Sequence, residues 1–354
     1  MKKISLLMLS LVLVLSLCAC SQEKPAGSST DRPFKTVMVT DAGGISDQSF
    51  NQSAWEGLQE LGQRTSAQVS YVEPKNVSEY YSVLDKLSDE DYNLIWGIGY
   101  AFSDAIESTA QKNPDQQYAI VDYSYGEDTL SNVTGVVFRA QESAFLVGYA
   151  AGRTTKTNKV GFIGGIKGDI ISQFEYGYKA GVDYAAKELN KKIEVESQYA
   201  ESFTDSAKGR AIANRMFNNK CDIVFHAAGG VGYGVFEEVK NHTGKFVIGV
   251  DRDQSYLAPN KTLTSALKHV GKAVKLITEE VMDGQTIGGE TRAFGIEEGC
   301  VGIPEDNKNM DPRVYEDTMA LSKRVKMGII ELENGKIEIP YNLSMYKDFV
   351  QKIK

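Results

Sequence analysis

Two aspartates, Asp122 and Asp251, close the short apolar runs "AIVD" and "IGVD". Two phenylalanines, Phe50 and Phe174, each open a stretch of helical period, and a glycine follows each seven residues later, at Gly57 and Gly181. The spacing from Phe to Asp is 72 residues in one case and 77 in the other. Carboxylates accept hydrogen bonds and rings offer flat apolar faces, which suits holding a small polar molecule. The groupings that bond-breaking needs are missing. His226, His242 and His269 are scattered, with no H-E-x-x-H, no paired Cys ligands and no G-x-S-x-G elbow. "GGVGYGV" carries Val235 where a dinucleotide fingerprint needs its third glycine, and "DRDQS" is too thin an acidic cluster for calcium. No enzyme, metal or cofactor is expected.

Something must position those residues. From Lys35 onward, short β-rich runs alternate with helical stretches, the mark of βαβ units and parallel sheets. The strands expected are "KTVMVT", "QVSYVEP", "YNLIWGIG", "QYAIVDY" and "VTGVVFR", then "KVGFIGG", "IEVESQY", "CDIVFHAAGG" and "KFVIGVD". The order of elements is the same in both halves, so a doubly wound α/β domain occurs twice. Open parallel sheets bind ligands beyond the carboxyl ends of their strands. Both aspartates, the Gly-rich turns and both Phe-bearing helix starts belong there. The stretch "DAGGISDQSFNQSAWEG" would then be one wall of a cleft, with Ser46 or Asp47 capping the helix. Phe50 also falls on a stripe with Ala54, Leu58 and Leu61, and Phe174 on one with Tyr178, Val182 and Ala185, which equally suits core.

The ends add a location. "MKKISLLMLSLVLVLSLCAC" has a basic start and an apolar run too short to span a bilayer, and reads as a secretory signal. "LCAC" resembles the bacterial lipobox, which implies cleavage before Cys20 and a diacylglycerol on its sulfur. Residues 21–33, rich in Ser, Gly and Pro, would be a flexible tether. The net charge of −8 argues against nucleic acid, which demands a basic face. Cys221 and Cys300 could pair in an oxidising compartment, or be two buried thiols, the commoner fate of free cysteine.

"DAGGISDQSFNQSAWEG", "AQESAFLVGYAAGRTTKTNKVGFIGG", "HAAGGVGYGVFEEV", "GVDRDQ" and "TSALKH" together resemble the basic membrane protein family. Within it the chain is similar to the purine nucleoside receptor lipoproteins of ABC transporters, from about Lys35 to Asn342. The resemblance implies a type I periplasmic-binding-protein fold, two α/β domains joined by a three-crossing hinge. One domain would comprise 34–142 plus about 266–292, the other 143–265 plus about 293–345, with crossings near 139–158, 252–265 and 291–303. "VGKAVKLITEEVMDG" would be a helix of the first domain, and "PRVYEDTMALSKRVKMGII" a helix of the second. The family's site implies that Phe50 and Phe174 sandwich the base, Asn51 and Asp122 bond its edge, and Asp251, Lys268 and the backbone near Gly230 hold the ribose. Asp41 and Asp47 belong to the same motif. The implied ligand is a purine nucleoside such as adenosine, guanosine or inosine. The implied partners are a permease and an ATPase, with the protein anchored by lipid outside the cytoplasmic membrane. A sensor of the same fold, or a binder of another polar solute such as a sugar, is the alternative.

Overall fold

The computed structural model describes residues 32–332 and 335–353; the signal segment, most of the tether and Cys20 lie outside the described residues. The first half builds β1 (Lys35–Thr40), α1 (Phe50–Arg64), β2 (Gln68–Val72), α2 (Tyr80–Ser88), β3 (Leu94–Ile98), α3 (Ser103–Lys112), β4 (Tyr118–Val121) and β5 (Val133–Phe138). There follow α4 (Ala140–Thr154), β6 (Lys159–Gly164), α5 (Asp169–Glu188), β7 (Glu194–Tyr199), α6 (Ser206–Asn218), β8 (Ile223–Ala227), α7 (Val231–Val239) and β9 (Phe246–Asp251). The rest comprises β10 (Thr262–Lys268), α8 (Val270–Met282), β11 (Glu290–Phe294), β12 (Val301–Gly302), α9 (Pro312–Ser322), β13 (Val325–Lys326), β14 (Ile329–Leu332), β15 (Gly335–Glu338) and α10 (Leu343–Lys352).

Two six-stranded sheets result, ordered β11-β5-β4-β3-β1-β2 and β12-β10-β9-β8-β6-β7. All neighbours are parallel except β10 with β12. The central strands are buried on both faces, as helices on both sides of a parallel sheet require. Each sheet has the same order, with its switch point between β1 and β3 or between β6 and β8. The duplicated, doubly wound α/β plan is therefore the fold.

Each sheet with its helices forms a lobe, and the chain crosses between them after β5, β10 and β11. The second crossing falls at 268–270 instead of within 252–265, because residues 262–268 form a strand beside β9. Main-chain bonds strap the crossings: Arg139 N donates to Phe294 O at 2.8 Å and His269 N to Cys300 O at 2.7 Å. The buried Glu142 carboxylate accepts from Ile296 N, Gly328 N and Arg139 Nε at 2.6–3.1 Å.

The paired glycines have one role. A Cβ on Gly57 would lie 2.2 Å from Gly271 O of α8, and one on Gly181 would lie 2.0 Å from Phe145 O of α4. Each lobe's first helix thus packs backbone to backbone on a helix that arrives from the other sheet. The expected helix through Ile330 ends at Ser322. Met327 and Gly328, with φ of 48° and 77°, make a tight turn between β13 and β14, and Val325 and Ile330 enter the core. Cys221 and Cys300 are free, buried thiols, pushed up to about 12 and about 11 by burial. Among the described residues no helix is long and apolar enough to cross a membrane.

Candidate functional site

A cavity of about 390 Å³ opens between the two sheets at their carboxyl ends. It is lined by the loop after β1 (Asp41, Asp47), the start of α1 (Phe50, Asn51), Asp122 after β4, Phe174 on α5, Asp251 ending β9 and Lys268 ending β10. Eight of the nine residues expected from sequence therefore meet. For the backbone near Gly230, it is the adjacent Gly229 that lines the cavity, while Gly230 is the residue before α7.

The two aspartates share a rare backbone state. Asp122 and Asp251 have φ of 63° and 65°, a left-handed conformation in which a Cβ is crowded, and such outliers gather at binding sites. Both strands end by turning a carboxylate into the cleft. Burial pushes Asp251 up to about 6 against the opposing pull of the nearby Lys268 ammonium. Ser49 Oγ donates to Asp251 Oδ2 at 2.5 Å.

The Asp41–Asn51 loop is pre-organised. Asp47 accepts from the N–H groups of Ser49, Asn51 and Gln52 at 2.8–3.1 Å, so it, not Ser46, caps α1. Asn51 Nδ2 donates to Asp41 Oδ1 at 2.7 Å and to Asp47 Oδ2 at 3.0 Å. Both amide donors are thus engaged in aiming carboxylates, a different placement from one free for a ligand edge. Desolvation raises the Asp41 carboxyl above its usual range.

Lys268 donates to Asp122 Oδ2 at 2.6 Å with both side chains buried, so its ion pair is with Asp122 and not with Asp251. Its ammonium sits 4.6 Å from the centre of the Phe50 ring and 5.9 Å from that of Phe174, within range of a cation–π attraction. Phe174 is buried yet lines the cavity, with Phe225 edge-on behind it at 6.3 Å. Phe174 thus belongs to the packed interior and to the cavity wall at once. Tyr100, Ile166 and Phe203 also line the cavity and were missed in the sequence. They follow β3, β6 and β7, and only the rule that ligands sit at strand carboxyl ends could have found them. Among the described residues no group of His, Cys, Asp and Glu is arranged to hold a metal ion.

This arrangement can accept hydrogen bonds around a polar rim and press an apolar face between rings. Five carboxylates, Glu201 among them, and one ammonium line it. Comparison with known proteins is consistent with that chemistry. Residues 34–336 match the model of the Bmp family, described as ABC transporter substrate-binding protein PnrA-like. The chain belongs to the Bmp family. This Bmp protein is 40% identical over 321 residues to basic membrane protein A of Borreliella afzelii, covering 90% of this chain and 95% of that one. It is 37% identical to the ABC transporter nucleoside-binding protein BmpA of Lactococcus lactis, covering 95% and 97%. Among solved structures, an ABC transporter solute-binding protein from Aeropyrum pernix K1 superposes with a TM-score of 0.72 at 24% identity, covering 91% and 90%. The type I periplasmic-binding fold follows, and the Bmp protein is a solute-binding subunit, not an enzyme.

Proposed function

We propose that this Bmp protein captures purine nucleosides outside the cytoplasmic membrane, held there by lipid on Cys20, and hands them to the permease and ATPase of an importer. The observation that carries the reading is the pairing of Phe50 and Phe174 with Asp122 and Asp251 around one cavity. The description of the Lactococcus lactis relative as nucleoside-binding supports it. Stacking a base on an aromatic face contributes about 1–3 kcal/mol, and hydrogen bonds to a charged acceptor roughly 1.5–3 kcal/mol each. Lys268 would swing from its place over the rings when a base enters. The two lobes act as domains, 34–142 with 266–292 and 143–265 with 293–345 within a few residues, that close by hinge motion.

The test is a thermal unfolding series with adenosine, guanosine and inosine against galactose and the matching nucleoside monophosphates. A nucleoside at a hundredfold excess over its dissociation constant should add about 2.7 kcal/mol of stability. Monophosphates should add little, because the lining carboxylates repel a second anion. A shift with galactose alone would replace this ligand class with a sugar.

A further inference from the structure

The sequence Asp-Gln-Ser-aromatic occurs twice, as "DQSF" at 47–50 and "DQSY" at 253–256. Both copies begin with the same turn: Asp47 Oδ1 accepts from Ser49 N, and Asp253 Oδ1 from Ser255 N, each at 2.9 Å. One follows β1 and the other follows β9, so they come from opposite lobes, and they interlock. Gln254 Nε2 donates to Gln48 O at 2.9 Å, and the Tyr256 hydroxyl donates to Gln48 Oε1. Nearby on α1, Glu56 pairs with Arg252 at 2.9 Å.

The donor in this contact is held from every side. Gln254 N bonds Ser265 Oγ at 3.2 Å, while its Oε1 accepts from Val250 N at 2.9 Å and meets His226 Nε2 at 3.1 Å. With that oxygen already an acceptor, His226 carries its proton on Nε2, which leaves the Gln254 amide hydrogens directed at the opposite lobe. On the other side, a φ of 56° at Gln48 fixes the loop that presents its carbonyl. Gln48, Glu56, Arg252, Gln254 and Tyr256 do not line the cavity.

We propose that Gln48 of one DQS-aromatic loop and Gln254 and Tyr256 of the other form a clasp between the lobes that sets how long a ligand stays, through contacts that lie outside the cavity. An opening that parts the two loops breaks these bonds, so the clasp raises the closed population, and apparent affinity follows that population. The inference rests on the cleft being the ligand site, as proposed above.

The test uses the full chain with Tyr256→Phe, which deletes one hydroxyl from a half-exposed side chain, and Gln254→Met. Inosine dissociation is followed by stopped-flow displacement. Lobe separation without ligand is followed by pulsed electron paramagnetic resonance, between spin labels at Ser82→Cys and Lys208→Cys, both exposed. Tyr256→Phe should speed dissociation about 2- to 10-fold with association unchanged. Adding Gln48→Ala to it should speed dissociation little further, since the hydroxyl and its acceptor are one contact. Gln254→Met should lengthen the label distance. Unchanged dissociation and unchanged distances would overturn the clasp, as would dissociation that rises only in step with a lower unfolding temperature of ligand-free protein. If inosine binds no variant and not the parent, the nucleoside reading falls; the label distances still decide the clasp.

Discussion

Asp122 and Asp251 each occupy a backbone state that costs a residue with a Cβ on the order of 1–3 kcal/mol. The fold tolerates this twice, at equivalent strand ends, to point two carboxylates at one cavity. Asp251 adds an electrostatic cost. Its folded pKa is raised to about 6 from 3.8, so its favourable contribution is complete below about pH 4 and is lost as the pH rises through 6. At pH 7.5 the buried charge costs roughly 2–3 kcal/mol. Asp251→Asn should therefore unfold at higher urea than the parent at pH 7.5, with only about a third of that margin left at pH 4.5. A difference independent of pH would place the effect in packing instead. Binding should weaken in the same variant, which would mark the residue as kept for the ligand and not for stability.

Helix contacts carry the duplication more visibly than strands do. Gly57 and Gly181 were legible as a repeated spacing, yet their reason is tertiary: each lets a carbonyl of a helix from the other half of the crossover approach at van der Waals contact. Gly181→Ala should destabilise by about 1–3 kcal/mol, the usual cost of overpacking, read as a lower urea midpoint. Gly168→Ala is the control, since a Cβ there meets nothing within 4 Å, and it should leave the midpoint near the parent's. Nine strands and the helices between them were readable from alternating runs. The hairpin after Ser322 was not, because "RVKMGII" has no helix breaker but Gly328, and the turn at Met327 is a left-handed state that side-chain pattern does not announce. Strand β10 was hidden too: "TLTSALK" is buried throughout, yet its Thr and Ser read as a loop until their partners are known.

At the scale of the molecule, three crossings let two lobes share one cleft, and the lipid proposed on Cys20 would decide where that cleft works. Cys20→Ser should move the protein from the membrane fraction to the soluble fraction after cell breakage. Retention in the membrane would mean that residues 4–17 act as a true anchor helix. What the sequence determined by itself was the repeated βαβ order, the acidic balance and the residue types at strand ends, since each depends on local period or composition. It also placed Phe50, Phe174, Asp122 and Asp251 at one end of their sheets. The tertiary structure alone decided who partners whom. Lys268 pairs with Asp122 and not Asp251, Asn51 aims carboxylates, and Gln254 reaches Gln48 from 206 residues away. Those pairings depend on how the lobes meet, a geometry that no local spacing encodes.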